Sequence, residues 1–310
     1  MNKILVFGHQ NPDTDTIASA ISLAYLVKEL SYEAEAVALG KVNLETKYAL
    51  DYFGFNEPRI IEKAADEVEN VILVDHNESQ QSVSDLEELT VKAVVDHHRI
   101  ANFKTSDPLY YRAEPLGSTA SIIRKLYKEN NLEIPQDIAG LMLSALISDT
   151  LLLKSPTTTE EDRLIAEELA NLAGVSLEEY GLEMLKAGTD ISNKTALEIL
   201  NDDAKSFTMG NSKVRIGQVN VVDIDDLLSS RKDELVQAIQ KEIKAEDYSL
   251  FVLMITDIIE SNSVVIVEGE EYRKFERAFH KPIQMGTVEL KDVVSRKKQL
   301  VPPLTEIFNH

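Results

Sequence analysis

Along the first half of the chain, short apolar runs alternate with longer stretches whose apolar residues recur at helical spacing. KILVFG (3–8) leads through a polar loop into the helical pattern TIASAISLAYLVKEL. EAVAL (35–39), NVILVD (70–75) and KAVVD (92–96) are rich in Val, Ile and Leu, the mark of strands covered on both faces. Helical patterns separate them, among them LETKYALDYFG (44–54), which closes on a capping glycine. This β-α-β alternation predicts an α/β fold with a doubly wound, mostly parallel sheet in the N-terminal domain. Helices are expected over 117–131, 134–150 and 157–174, the last with Thr at its capping positions and Gly174 at its end.

The pattern breaks into small and polar residues at AGTDISNKT (187–195). The expected organisation is therefore a first domain over 1–187, a linker over 188–195 and a second, smaller α/β domain over 196–310. In that second part, VRIGQVNVVDI (214–224) reads as a strand and is followed by a long amphipathic helix to about Ala245. SLFVLMITDII and NSVVIVEG read as a strand pair and EYRKFERAF as a short helix, ahead of the basic run SRKKQ and a Pro-Pro tail. A mixed sheet fits this order.

Composition narrows the function. Acidic residues outnumber basic ones 53 to 32 over 310 residues, a formal charge of −21. A chain that negative is ill suited to nucleic-acid backbone or an anionic membrane, and a phosphate-bearing ligand would need local cations or metal ions. Cysteine is absent, so disulfides and thiolate metal sites are excluded and His, Asp and Glu are the available ligands. MNKILVFGHQ has too short an apolar run for a signal segment, and no stretch reaches the ~18 uninterrupted apolar residues of a membrane span. A soluble, cytoplasmic protein is the expectation. There is no G-x-G-x-x-G, Walker, H-E-x-x-H or G-x-S-x-G motif, which removes most support for nucleotide cradling and serine hydrolysis.

Ligands of open α/β sheets sit beyond the carboxyl ends of the strands, and there the histidines and aspartates collect. GHQNPDTD after the first strand carries His9, Asp13 and Asp15; NVILVD ends in Asp75, followed by His76; KAVVD ends in Asp96, followed by His97 and His98; and LMLSALISD ends in Asp149. Pro12 lets the first loop turn His9 and Asp13 towards one point while Asp15 faces a neighbouring one. Several carboxylates packed together repel without cations. A pair of divalent ions about 3.5–4 Å apart, with one bridging carboxylate, fits that number of ligands, and Asp75, alone at its strand end, is the candidate bridge. Oxygen ligands with a minority of imidazole suit Mn²⁺, Mg²⁺ or Co²⁺.

Simpler roles stand beside these. Asp13 or Asp15 alone could be a helix N-cap, Asp149 an ordinary helix-end residue, and Gly117-Ser118-Thr119 an N-cap rather than a phosphate cradle. His76 reads as structural or surface. Asp96 reads as support for a neighbouring imidazole rather than a ligand. His280 and His310 have no assigned partner. SRKKQ (295–299) in isolation reads as a solvated patch, and Lys205 in NDDAKSF is no more specific.

Taken together and in order, GHQNPDTDT, Asp75, Asp96-His97-His98, SDTLLLKSPT and SRKKQ resemble the DHH phosphoesterase superfamily, and within it the family II (manganese-dependent) inorganic pyrophosphatases. The resemblance runs from His9 to Lys297. It implies that His9, Asp13 and Asp75 hold one metal and Asp15, Asp75, His97 and Asp149 the other, with Asp75 shared. His98 would face the substrate, and Lys205, Arg296 and Lys297 would bind phosphate, Lys298 being less clearly placed. It also implies two Mn²⁺ per subunit, Co²⁺ as a substitute, Mg²⁺ accompanying the substrate, a homodimer through the first domain and a site between the domains. The implied reaction is hydrolysis of pyrophosphate to two orthophosphates by a metal-bridged hydroxide. The alternatives are an exopolyphosphatase, or a DHH phosphodiesterase on oligonucleotides, which would carry a glycine-rich motif not found in the second half. A metal-binding regulatory module without turnover is a further alternative, one free to lose ligands that this chain keeps.

Overall fold

The run Ile4–Phe7 forms β1 with all four residues buried, as a strand covered by helices on both faces requires. It belongs to a computed structural model that describes residues 3–309 and divides into two units, the first ending at Gly188 and the second starting at Thr189. His310 lies outside the described residues.

After β1 the first unit continues with α1 (Thr14–Glu29), β2 (Ala34–Ala36), α2 (Leu44–Phe53), β3 (Asn70–Val74), β4 (Thr90–Asp96) and β5 (Tyr110–Ala113). Four helices close it: α3 (Thr119–Glu129), α4 (Gln136–Thr150), α5 (Glu160–Ala173) and α6 (Leu177–Gly188). The five strands lie in the order β2-β1-β3-β4-β5, and every pairing is parallel. The order reverses at β1, which pairs with both β2 and β3, so a crevice opens beyond the carboxyl ends of β1 and β3. Residues 9–15 and Asp75 follow those two ends.

Helix α4 is buried on all sides from Ile138 to Ile147. Gly140 is the point of tightest approach: a Cβ there would lie 2.2 Å from a ring carbon of Phe53. Phe53 is partly exposed, but Tyr52 and Tyr180 pack against its ring at 4.9 and 5.2 Å between centroids and limit its retreat. Alanine would add up to ~1 kcal/mol of helix propensity, but overpacking costs about 1–3 kcal/mol. Gly140→Ala is therefore expected to lower the urea midpoint with no change in slope; an unchanged or higher midpoint would contradict this packing.

The second unit holds α7 (Ala196–Asp202), β6 (Asp203–Met209), β7 (Ser212–Val221), α8 (Ile224–Glu246), β8 (Leu250–Asp257), β9 (Asn262–Glu268), α9 (Tyr272–Phe279) and β10 (Thr287–Leu290). A π-helical turn, Arg296–Leu300, leads into α10 (Val301–Asn309). The sheet order is β10-β9-β8-β7-β6. β7 and β8, joined by the α8 crossover, are parallel and the other pairs antiparallel, so the sheet is mixed. Alternation along fully buried β8 divides the interior. Phe251, Leu253 and Ile255 join one cluster with Leu235 and Ile239 of α8, while Leu250, Val252 and Met254 join another with Phe275 and Leu304.

Several details differ from the sequence reading, which anticipates none of α6, α7 and β10. β2 stops at Ala36, and Ala38 beyond it makes only an isolated bridge to Ile60. The edge strands β5 and β6 have no apolar alternation to announce them; most of β6 faces solvent. Pro302 and Pro303 are the second and third residues of α10, where a missing N–H costs little.

Candidate metal centre

Each acidic candidate of the first unit is built into a helix or strand end. Asp13 is the N-cap of α1: its Oδ1 accepts from Thr16 N at 2.9 Å, and its Oδ2 lies 3.4 Å from His9 Nε2. The capping and site roles thus use different oxygens of one carboxylate. Asp15, in the first turn of α1, is fully buried. It accepts from Ser19 Oγ (2.6 Å), Thr119 N (2.6 Å) and Ala120 N (3.2 Å), and so lies between the amino ends of α1 and α3, where helix dipoles favour an anion. Ser118 caps α3, and the amides after it serve Asp15.

Asp75, one residue past β3, is 1% exposed and has a left-handed backbone, φ +56°, a conformation that non-glycine residues keep mainly where the surroundings enforce it. Thr16 Oγ1 donates to its Oδ2 (2.8 Å) and Thr119 Oγ1 to its Oδ1 (3.1 Å). His9 Nε2 lies 3.4 Å from Oδ2, and His97 Nε2 lies 3.5 Å from Oδ1. Asp149, in the last turn of α4, places Oδ2 3.3 Å from His97 Nε2. Directly after α4 ends at Thr150, Leu151, Leu152 and Leu153 all take left-handed φ of 48°, 51° and 62°, a run that costs roughly 1–2 kcal/mol per residue.

The imidazoles are fixed from behind. His9 Nδ1 donates to Gln10 O (2.7 Å) and His97 Nδ1 to Leu116 O (2.9 Å), so both turn Nε2 towards the carboxylates. His98 differs. Its Nδ1 donates to Asp96 Oδ1 at 3.0 Å, and its ring stands edge-on to His97 with centroids 4.3 Å apart. Asp96 is fully buried and also accepts from Asn77 Nδ2 (2.6 Å). Burial opposes its charge, but the bonds from His98 and Asn77 hold its carboxyl below the usual range.

Donor atoms within 4.8 Å of one another form overlapping sets: His9, Asp13 and Asp75; Asp15, Asp75, His97 and Asp149; and Asp75, His97 and His98. The first two contain all six residues singled out as ligands in the sequence. The third uses a histidine whose Nδ1, 3.6 Å from Asp75, is already committed to Asp96. Burial, then the charge of Asp75, pushes Asp15 well above the carboxylate range, and burial with the neighbouring acids does the same to Asp149. Burial works against a charge on His9, yet Asp13 and Asp75 raise its proton affinity. The cluster thus draws protons in place of cations, and the donor set fits divalent metal: oxygen-rich, with two imidazoles presenting Nε2 and no sulfur.

His76 is buried rather than superficial: its Nδ1 donates to Val74 O (2.8 Å), and burial pushes its pKa down to about 4. Thr16, Thr119 and Asn77 bond to carboxylates of the site, and Asp162 accepts from Gly117 N beside it, yet the sequence gives none of the four a site role. Hydroxyls and an amide carry no distinctive pattern, and only Thr119, inside the Gly-Ser-Thr stretch, had any signal.

In the second unit, Lys205 is exposed on β6 opposite Ile216. Arg296 is buried, with Nη1 donating to Asp203 O (2.6 Å) and Ile216 O (3.3 Å), and Nη2 to Asp203 Oδ1 (2.6 Å). Three of the five guanidinium donors are used, which leaves two. Asp203 and Lys205, two apart, share a face of β6, so Lys205 and Arg296 are neighbours. Lys297 and Lys298 are exposed, and His280 caps the end of α9.

The chain matches the DHH family N-terminal domain over residues 3–146 and the DHHA2 domain over 182–307. It is 61% identical to a probable manganese-dependent inorganic pyrophosphatase of Shouchella clausii, covering 99% of this chain and 98% of that protein. It is 58% identical to the manganese-dependent inorganic pyrophosphatase of Bacillus subtilis, covering 99% of each. Among solved structures, a Methanococcus jannaschii protein described as a candidate family II inorganic pyrophosphatase superposes with a TM-score of 0.84 at 42% identity, covering 99% of this chain and all of that one.

Proposed function

Since the chain belongs to the family II, manganese-dependent inorganic pyrophosphatases of the DHH superfamily, we propose that it hydrolyses inorganic pyrophosphate to two orthophosphates. The observation that carries this reading is the pair of overlapping donor sets joined at Asp75. His9, Asp13 and Asp75 would hold one Mn²⁺, and Asp15, Asp75, His97 and Asp149 a second. Co²⁺ would substitute, and Mg²⁺ would accompany the substrate. Bound divalent cations supply acidified water and neutralisation of phosphate charge.

The remaining work falls to side chains. His98, tied to Asp96 through Nδ1, keeps Nε2 for the substrate, where its imidazolium form would donate to the leaving oxygen. Asp96, fixed by Asn77, sets that ring's orientation. Arg296 offers its two uncommitted donors to phosphate oxygens, and Lys205 and Lys297 act as point charges beside it. Their part is to neutralise a polyanion whose charge repels a nucleophile. A homodimer through the first unit is supported by the open edge of β5, where Tyr110 is half exposed. Among the described residues no helix is long and apolar enough to cross a membrane.

With Mn²⁺ present, phosphate release from pyrophosphate is expected to outpace release from tripolyphosphate and nucleotide release from a dinucleotide. Faster dinucleotide cleavage would overturn the proposal in favour of a phosphodiesterase, and inertness on all three would favour a regulatory module.

A further inference from the structure

One short segment touches three of the four residues in the larger donor set. Leu116 O accepts from His97 Nδ1 (2.9 Å), Thr119 N and Ala120 N donate to the two oxygens of Asp15 (2.6 and 3.2 Å), and Thr119 Oγ1 donates to Asp75 (3.1 Å). The segment is in turn fastened from behind by a single carboxylate. Asp162 of α5 is fully buried; its Oδ2 accepts from Gly117 N (2.8 Å) and its Oδ1 from Ser121 Oγ (2.7 Å). The approach is close enough that a Cβ on Gly117 would lie 2.9 Å from Asp162 Oδ2. It would also lie 2.7 Å from Thr150 Cγ2, on the residue after Asp149. All four members of the set therefore adjoin this segment or the residue packed against it.

Asp162 also has a local duty. It completes the capping box of α5, accepting from Thr159 N (2.8 Å) and Thr159 Oγ1 (2.7 Å). Those bonds form within one helix turn and need nothing from the rest of the fold. The bonds to Gly117 and Ser121 span 45 and 41 residues of chain and serve no helix cap of α5.

We propose that Asp162 is a positioning residue of the metal centre: it holds residues 116–121 so that Leu116, Thr119 and Ala120 aim His97, Asp75 and Asp15 at one point. This deepens the reading of the donor sets as a two-ion manganese site and rests on it. The smaller set depends less on the segment, since His9 and Asp13 have no bond to it and Asp75 keeps its second bond, from Thr16. Loss of Asp162 should therefore weaken one ion much more than the other.

The test is a titration of the full-length, chelator-stripped protein with Mn²⁺, following the free aquo ion by electron paramagnetic resonance. Wild type is expected to take up two ions, and Asp162→Ala to bind one of them about 10-fold or more weakly, as loss of outer hydrogen-bond partners does at metal sites. Asp162→Asn should come close to wild type, because its oxygen can accept from Gly117 and Thr159 while its amide donates to Ser121 Oγ. Thr159→Val removes the capping hydroxyl, at about 1 kcal/mol, and should leave both binding steps unchanged. If Asp162→Ala does not fold, Gly117→Ala displaces the same segment and should weaken the same step. Unchanged affinities in Asp162→Ala or, failing that, in Gly117→Ala would overturn the proposal. So would a Thr159→Val variant that weakens Mn²⁺ as much as Asp162→Ala does. A wild-type chain that takes up no Mn²⁺ would overturn the two-ion reading itself, a failure visible before any variant is compared.

Discussion

Asp75→Asn is expected to abolish tight uptake of both ions and to lower pyrophosphate turnover by at least about 10³-fold, beyond the 10–100-fold typical of losing an outer partner at a metal site. Asp75 is the residue common to both proposed donor sets, and each of its oxygens faces a different histidine, Oδ2 towards His9 and Oδ1 towards His97. Asparagine keeps the volume but supplies one neutral oxygen, leaving both sets a charged donor short. The fold should survive. Thr16 and Thr119 lose at most one acceptor between them, a cost of about 1–3 kcal/mol. Mn²⁺ at 100 times its dissociation constant should add about 2.7 kcal/mol per site to the wild-type protein and almost nothing to the variant. Thermal unfolding with and without Mn²⁺ reads this directly. A variant that still binds two ions at wild-type affinity would remove Asp75 from the centre of the site.

The tandem histidines should separate in the second experiment. His98→Gln is expected to keep both Mn²⁺ steps while turnover falls by about 10²–10⁴-fold, the usual contribution of a positioned proton donor. His97→Gln should weaken metal binding first. The reason is the anchor of each ring. His97 is held by the Leu116 carbonyl and directs Nε2 at Asp75 and Asp149, whereas His98 is held by Asp96 through the nitrogen that lies nearest Asp75. Mn²⁺ titration and steady-state kinetics on the two variants check the division, and equal loss of metal in both would end it.

Much of the first unit was legible because strands covered on both faces must be apolar throughout, so NVILVD and KAVVD stand out from their surroundings. The polar residues that follow such strands are conspicuous for the same reason, and that contrast or the family resemblance marks His9, Asp13, Asp15, Asp75, His97 and Asp149. The fold brings the six together. β5 and β6 were missed because an edge strand need bury only part of its surface. YYRA and DAKSFTM show no alternation strong enough to mark them. Lys205 consequently had no structural setting until β6 paired with β7. His76, next to Asp75 and read as superficial or structural, proved buried because it turns back onto Val74.

Residue types and their positions at strand ends follow from local pattern, since periodicity and capping are properties of a few neighbouring residues. Convergence does not. That residues 9, 75, 97 and 149 meet depends on the strand order β2-β1-β3-β4-β5 and on the seating of α4, both set by pairings far apart in the chain. The hydroxyls of Thr16 and Thr119 and the carboxylate of Asp162 are ordinary in sequence. They gain their roles only when the amino ends of α1, α3 and α5 are packed together, because a hydrogen bond across 45 or 104 residues leaves no trace in local spacing.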